Sequence, residues 1–311
     1  MVFFLLIKIE ACVIIISRKI KLYYKSLLPY NLYHRGVKMG KFDGILICTD
    51  LDGTLYKNDK TISLENREAI EYFKREGGYF TFITGRLPYY SADAYDSVKP
   101  NAPFGCINGG GVYDGAANRY IWAQEISREV GGMIDYIDAR FKGIGIQVCG
   151  LEHTFFNEEN EMTLKFIKRT GLPCLLCHHS EVEEPVGKII FSSEDSEVLT
   201  DIEKALRAHP KAPKFDFVRS ERTLLEILPK DVNKGLALNK LAEYLSVDIN
   251  KTVAIGDFDN DVEMLKVARL GIAVSNASEK VLAVADAVTV SNEEHAVAEV
   301  IYALESGKYS I

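Results

Sequence analysis

The strongest constraint on this chain is where its polar signatures fall relative to its apolar runs. Three short apolar runs, residues 45–49, 79–83 and 252–255, are each followed at once by a polar cluster. The first leads into Asp50-Leu51-Asp52-Gly53-Thr54, the second into Thr84-Gly85-Arg86, and the third into Gly256-Asp257-Phe258-Asp259-Asn260-Asp261. Runs of this length that do not alternate with polar residues read as strands buried on both faces. Helical periodicity marks residues 63–76 (closed by Gly77-Gly78), 234–245, 261–268 and 293–304, and further strands read at 271–274 and 287–290. Strand–helix alternation at both ends specifies an α/β fold with a doubly wound parallel sheet, a Rossmann-like core. Such sheets bind ligands outside the carboxyl ends of their strands, so the three signatures are expected to meet at one edge.

The middle of the chain breaks this rhythm. Residues 123–226 are richer in charge and less regular, with strands expected at 186–191 and 223–228 and a helix over 196–208 stopped by His209-Pro210. The expected organisation is therefore a core made of residues 39–122 and 227–311, with residues 123–226 inserted as an α/β cap domain. Gly109-Gly110-Gly111 lacks the Lys-Ser/Thr of a nucleotide-binding loop and reads as a tight connection near the hinge. Lys188, inside an apolar cap strand, reads as structural. His153, Phe155 and Phe156 fit either substrate contacts or cap core.

Charge separates the first residues from the rest. Residues 1–38 hold seven Lys/Arg and one acid, +6, against a total of −7 for all 311 residues, which leaves −13 for the remainder. An acidic body excludes a general nucleic-acid binder, which needs a basic surface. The leader's apolar run, residues 3–16, is interrupted by Lys8 and Glu10 and is shorter than the roughly 20 residues of a membrane span, so no stable membrane insertion is expected. Its positive charges follow the apolar run, the reverse of a secretory signal. The leader reads as a mis-called start with Met39 as the natural one, a disordered extension, or a weak membrane-surface segment. The six cysteines form no compact disulfide framework, and a cytoplasmic location is expected. Cys48 and Cys106 read as core residues. Cys174-Leu175-Leu176-Cys177-His178-His179 has no second ligand cluster of the kind structural zinc needs, and reads as a cap strand with polar neighbours.

Asp50, Asp52, Asp257 and Asp261 gathered at one edge would repel one another unless a cation lay among them. Oxygen ligands with no Cys or His nearby point to Mg²⁺, which takes carboxylates, waters and a substrate phosphate. Two unit charges ~3.5 Å apart repel by about 5 kcal/mol at an effective dielectric of 20. A metal and a lysine offset that when a carboxylate meets a phosphate, while backbone amides and the Thr84 hydroxyl can hold the phosphoryl oxygens.

Asp50-Leu51-Asp52-Gly53-Thr54-Leu55, Thr84-Gly85-Arg86, Lys234-Gly235 and Gly256–Asp261 resemble, in order, the four motifs of the haloacid dehalogenase superfamily. The insertion between the second and third motifs is similar to the Cof-type subfamily of sugar-phosphate phosphatases with a class IIB α/β cap. Asn108-Gly109, Ser275-Asn276-Ala277 and Ser291–Glu294 also resemble segments of that subfamily, although His295 stands in a final stretch where the subfamily often has an Asp-Gly pair. The resemblance implies a Mg²⁺-dependent phosphomonoester hydrolase acting through an aspartyl-phosphate on a small-molecule phosphate ester. It makes Asp50 the nucleophile and Asp52 the general acid and base, with the Asp52 carbonyl on the metal. Asp257 would complete the metal shell with support from Asp261. Thr84 and Gly85 would hold the phosphoryl group, Lys234 would balance its charge, and Asn260 would reach phosphate or substrate. Arg86 is either a structural residue or a substrate contact. A phosphomutase on the same fold and a catalytically silent phospho-ligand sensor are the alternative functions. Neither the substrate nor the oligomeric state is legible.

Overall fold

A computed structural model describes residues 40–171 and 173–311. The expectations for the leader fall on residues outside that range. The first segment runs β1 (Leu46–Thr49), α1 (Leu64–Arg75), β2 (Tyr79–Phe82), α2 (Ala92–Val98), β3 (Phe104–Cys106), β4 (Gly111–Asp114) and β5 (Arg119–Ala123). Ser63 caps α1 by accepting from the Asn66 amide, and Lys74 and Arg75 sit in its last turn, where cations favour the helix dipole.

The middle segment runs α3 (Gly131–Asp138), β6 (Gly145–Gly150), β7 (Thr154–Phe156), α4 (Glu161–Thr170), β8 (Leu175–Leu176), β9 (Val186–Ser192), α5 (Ser196–Arg207), β10 (Phe215–Glu221) and β11 (Leu224–Pro229). The final segment runs α6 (Lys234–Leu245), β12 (Thr252–Gly256), α7 (Val262–Val267), β13 (Leu270–Ala273), α8 (Glu279–Leu282), β14 (Ala287–Val288) and α9 (Ala296–Glu305).

The first and last segments interleave in one five-stranded sheet of order β14-β13-β12-β1-β2, parallel throughout. Ile47, Val253, Ile255 and Ile272 point to a cluster shared with Ile70 and Phe73 of α1 and Val300 and Ile301 of α9. Leu46, Cys48, Ala254 and Ala273 point the other way, to Leu238 and Leu241 of α6 and Met264 and Leu265 of α7. Helices on both faces are why these strands lack an alternating pattern. The chain leaves β1 toward β2 on one side and returns as β12 on the other, so the winding reverses at β1. The crevice at such a reversal is where doubly wound folds place ligands.

The middle segment folds into its own six-stranded sheet, β10-β11-β9-β6-β7-β8, antiparallel except for β7 with β8. Its outer face packs Ile189, Phe191, Leu225 and Ile227 against Ile134 of α3 and Ile202 and Leu206 of α5. The fold is thus a doubly wound Rossmann-like core with an inserted α/β cap. A third, three-stranded antiparallel sheet, β3-β4-β5, was not expected. Gly109 and Gly110 lie in the short connection between β3 and β4, and Gly111 opens β4. The last helix starts at Ala296 because His295 adopts a left-handed φ of 65°, which ends the short turn over Asn292–Glu294. Phe156 is fully buried and belongs to the cap interior, whereas His153 is exposed and pairs with Glu184 at 2.8 Å. Leu175–Leu176 forms the edge strand, and His179 meets Asp135 at 2.7 Å with neither Cys174 nor Cys177 joining them in a ligand cluster.

Candidate active site

Asp50 follows the last residue of β1, and its amide still donates to the Ile255 carbonyl on β12 at 2.9 Å. This pairing keeps Asp50 on the sheet edge beside the start of the Gly256–Asp261 loop. Gly53 turns the chain with a left-handed φ of 86°, and a Cβ there would run into the Asp257 carboxylate. The two loops therefore touch, and only glycine fits where they do. Thr54 secures the contact by donating from Oγ1 to Asp257 Oδ1 at 2.7 Å.

Lys234, the first residue of α6, points its ammonium between two carboxylates: Asp50 Oδ1 at 2.5 Å and Asp261 Oδ1 at 2.6 Å. The other oxygen of Asp261 accepts from the amides of Asp257 and Phe258 at 2.9 and 3.1 Å. Both Asp261 oxygens are thus engaged, and the residue anchors lysine and loop together. Gly109 lets the β3–β4 connection press on this helix start, since a Cβ there would strike the Asn233 carbonyl oxygen.

Carboxylate oxygens of Asp50, Asp257 and Asp261 lie within 4.8 Å of one another. One ammonium faces three acids, and the electrostatics show the imbalance. Burial lifts the Asp50 carboxyl well above its ordinary range, and Asp261 and Asp257 add to it while Lys234 opposes. Burial and then Asp261 lift Asp257 to about 7, against the Thr54 hydrogen bond and Lys234. Burial alone would lower the Lys234 pKa, but Asp261 and Asp50 outweigh it and hold the lysine above the ordinary value. An all-oxygen cluster short of positive charge fits a hard divalent cation.

Asp52 stands apart from this cluster. Arg86 grips both its oxygens from one nitrogen at 3.0 and 2.8 Å, and Lys60 adds a contact at 2.9 Å. Burial raises the Asp52 pKa, but Arg86 and Lys60 more than reverse it, so Asp52 titrates below its usual range. Thr84, buried at the end of the β2 run, accepts the Arg86 amide at Oγ1 at 3.2 Å, which leaves its hydroxyl proton free to point elsewhere. Asn260 donates to Asn108 Oδ1 at 2.9 Å.

The sequence-expected residues therefore occupy one carboxyl edge: Asp50, Lys234, Asp257 and Asp261 in direct contact, with Thr84, Gly85 and Asn260 in the flanking loops. Three contributors had been given no role. Thr54 lies inside the first motif, Lys60 eight residues beyond Asp52, and Asn108 at a left-handed φ of 52° beside Ile107 at 56°. An Asn-Gly pair just beyond a strand is the signal that marks Asn108, because asparagine adopts that conformation at far lower cost than a β-branched residue does.

Comparison with known proteins accords with this geometry. Residues 47–301 match the haloacid dehalogenase-like hydrolase family. The 5-amino-6-(5-phospho-D-ribitylamino)uracil phosphatase YwtE of Bacillus subtilis (strain 168) is 29% identical over 288 residues, which cover 85% of this chain and 99% of that protein. A haloacid dehalogenase-like hydrolase from Bacteroides thetaiotaomicron superposes with a TM-score of 0.72 at 26% identity, over 83% of this chain and 98% of its own. The subclass IIB sugar phosphatase BT4131 shares the fold, with a TM-score of 0.71 at 18% identity over 83% and 98% of the two chains. A match across most of the chain, with all four motifs drawn to one sheet edge, means that this protein belongs to the haloacid dehalogenase-like hydrolases and is a phosphatase of that family.

Proposed function

We propose that the protein hydrolyses small phosphate monoesters, sugar or sugar-alcohol phosphates in particular, through an aspartyl-phosphate on Asp50. The observation that carries this reading is the Asp50–Lys234–Asp261–Asp257 cluster at the winding reversal of the parallel sheet. Asp50 and Asp257 would hold Mg²⁺ together with the Asp52 carbonyl, and Asp261, its oxygens already engaged, would support them. The ion would neutralise charge on the phosphoryl oxygens.

An Asp50 carboxylate oxygen attacks phosphorus, the bond from phosphorus to the ester oxygen breaks, and Asp52 delivers its proton to the departing alkoxide. Water then attacks the phosphorus of the acyl phosphate and gives its proton to Asp52, releasing phosphate and restoring Asp50. Asp52 must leave the Arg86–Lys60 pair to carry a proton. Thr84, the Gly85 backbone and Asn260 would orient the phosphoryl oxygens, while Lys234 offsets their charge.

In this reading the core comprises residues 39–122 and 227–311 and the cap residues 123–226. The cap would close over the substrate and exclude water. A cytoplasmic location suits the unpaired cysteines, and among the described residues no helix is long and apolar enough to cross a membrane.

The test is phosphate release from a panel of esters with Mg²⁺ and with chelator. The panel should include simple sugar phosphates and the ribitylaminouracil phosphate named for YwtE. Metal-dependent release without any bisphosphate activator is expected. Absence of release from every ester would overturn the reading, and bisphosphate-dependent isomerisation of a sugar phosphate without phosphate release would favour a phosphomutase.

A further inference from the structure

The cap sheet carries a buried ion pair on the face turned toward the core. Glu226 on β11 stands opposite Ile190 on β9, and Lys188 lies two residues before Ile190, so Lys188 and Glu226 are diagonal neighbours on one face. Ile190, Cys149 and Leu224 pack on that side into the same cluster as Ile107 of the core. The charged side chains of Lys188 and Glu226 are only 1% and 2% exposed to solvent.

Apart from the bond between them, every bond of the pair but one reaches the core loops beside the candidate site. Lys188 Nζ donates to Glu226 Oε2 and to the Gly85 carbonyl oxygen, each at 2.8 Å. Glu226 Oε2 also accepts from Asn108 Nδ2 at 2.7 Å, and Asn108 Oδ1 accepts from Asn260 at 2.9 Å. The exception, Ser220, donates to Glu226 Oε1 at 2.6 Å and fixes the carboxylate within the cap. Asn108 is further tied to the second motif through its amide, which donates to the Thr84 carbonyl at 3.1 Å.

We propose that Lys188 and Glu226 are positioning residues supplied by the cap. Lys188 fixes the Gly85–Arg86 peptide, whose amide sets the Thr84 hydroxyl. Glu226 fixes Asn108 and through it the Asn260 carboxamide. The donors that receive the phosphoryl group are thus correctly aimed only while the cap sheet is seated on the core. Neither residue touches substrate, and the assignment rests on the phosphatase reading above. Stability does not explain the pair, because replacing a buried ion pair by apolar residues of similar volume is often neutral or stabilising.

The test uses the full chain with Mg²⁺, p-nitrophenyl phosphate as substrate and inorganic phosphate as competitive inhibitor, with thermal melting alongside. Lys188→Met is expected to lower kcat/KM and to weaken phosphate inhibition, each by about tenfold, the scale of a sub-ångström misplacement. Lys188→Arg, which keeps the donors, should restore part of both. The paired variant Lys188→Met/Glu226→Leu should regain the melting temperature lost by Lys188→Met without regaining phosphate affinity. A paired variant with wild-type phosphate inhibition and turnover would overturn the proposal, as would a Lys188→Met protein altered in melting alone. If the wild type hydrolyses no ester yet binds inorganic phosphate by calorimetry, the phosphatase reading fails, and the same variants still decide the positioning role by affinity. A wild type that does neither overturns both.

Discussion

Lys234 in the core and Lys188 in the cap are both almost wholly withdrawn from solvent and both held by carboxylates, yet their surroundings differ in charge balance. Lys234 faces three acids that lie within reach of one another, and two of them are pushed toward the protonated form. Lys188 faces one acid, and its remaining bond goes to a neutral carbonyl. A buried cluster with surplus negative charge is unstable as it stands and gains most from a cation and from the substrate chemistry that accompanies it. A pair whose charges balance gains little from a ligand. What it supplies is a fixed geometry for the groups it touches.

The sharpest test of this contrast is Asp50→Asn. It removes the proposed nucleophile while keeping shape and one hydrogen-bond acceptor for Lys234, so turnover should fall by about 10³-fold or more with the fold intact. Retained turnover, measured as phosphate release, would show that the charge-rich cluster is not where the chemistry occurs. Lys234→Met should act on stability as well. Stripping the ammonium from Asp50 and Asp261 costs about 3–5 kcal/mol if the acids stay charged, read as a lower midpoint in urea. The balanced cap pair, replaced as a unit, should show no such loss.

These two sites were not equally legible in the sequence. Asp50 follows one continuous apolar strand run, Asp257 and Asp261 lie in the polar cluster after another, and parallel topology forces such positions to one edge whatever their sequence separation. Lys234 opens a helix whose periodicity was plain, and the observed helix begins at that residue. The cap pair gave no comparable signal. Lys188 and Glu226 each interrupt an apolar run once, and nothing in the chain states that β9 and β11 are neighbours in a register that sets Glu226 across from Ile190. Antiparallel register depends on turns and packing rather than on motif spacing. The β3–β4–β5 sheet was missed for another reason: β3 and β4 are only three and four residues long and each contains a glycine, which carries little strand propensity.

The charge imbalance also sets a pH dependence. Asp257 titrates at about 7 in the folded protein against an ordinary 3.8, so between those values the folded state binds more protons than the unfolded one. Stability in chelator should therefore fall as pH rises from about 4 to 7, the reverse of an ion-paired carboxylate. Melting temperatures at pH 5 and 7.5 check the sign, and Asp257→Asn should flatten the slope. Added Mg²⁺ should raise the midpoint more at the higher pH, since a cation favours the ionised cluster. A wild-type midpoint that climbs with pH in chelator would mean that Lys234 already balances the site.

The smallest expected effect separates the two cations on Asp52. Arg86 is half-buried and contacts both carboxylate oxygens, whereas Lys60 is mostly exposed and contacts one. Both hold the Asp52 pKa down, so removing either lets it rise. Because the protonated form donates to the leaving alcohol, a higher pKa moves the alkaline limb of kcat/KM to higher pH. Arg86→Met should shift that limb clearly. Lys60→Met should change kcat/KM by less than about twofold, in keeping with the weak coupling of exposed pairs. Equal shifts from the two variants would mean that charge alone, rather than the two-oxygen grip of Arg86, governs Asp52. An unmoved limb in Arg86→Met would remove Asp52 from the proton transfer.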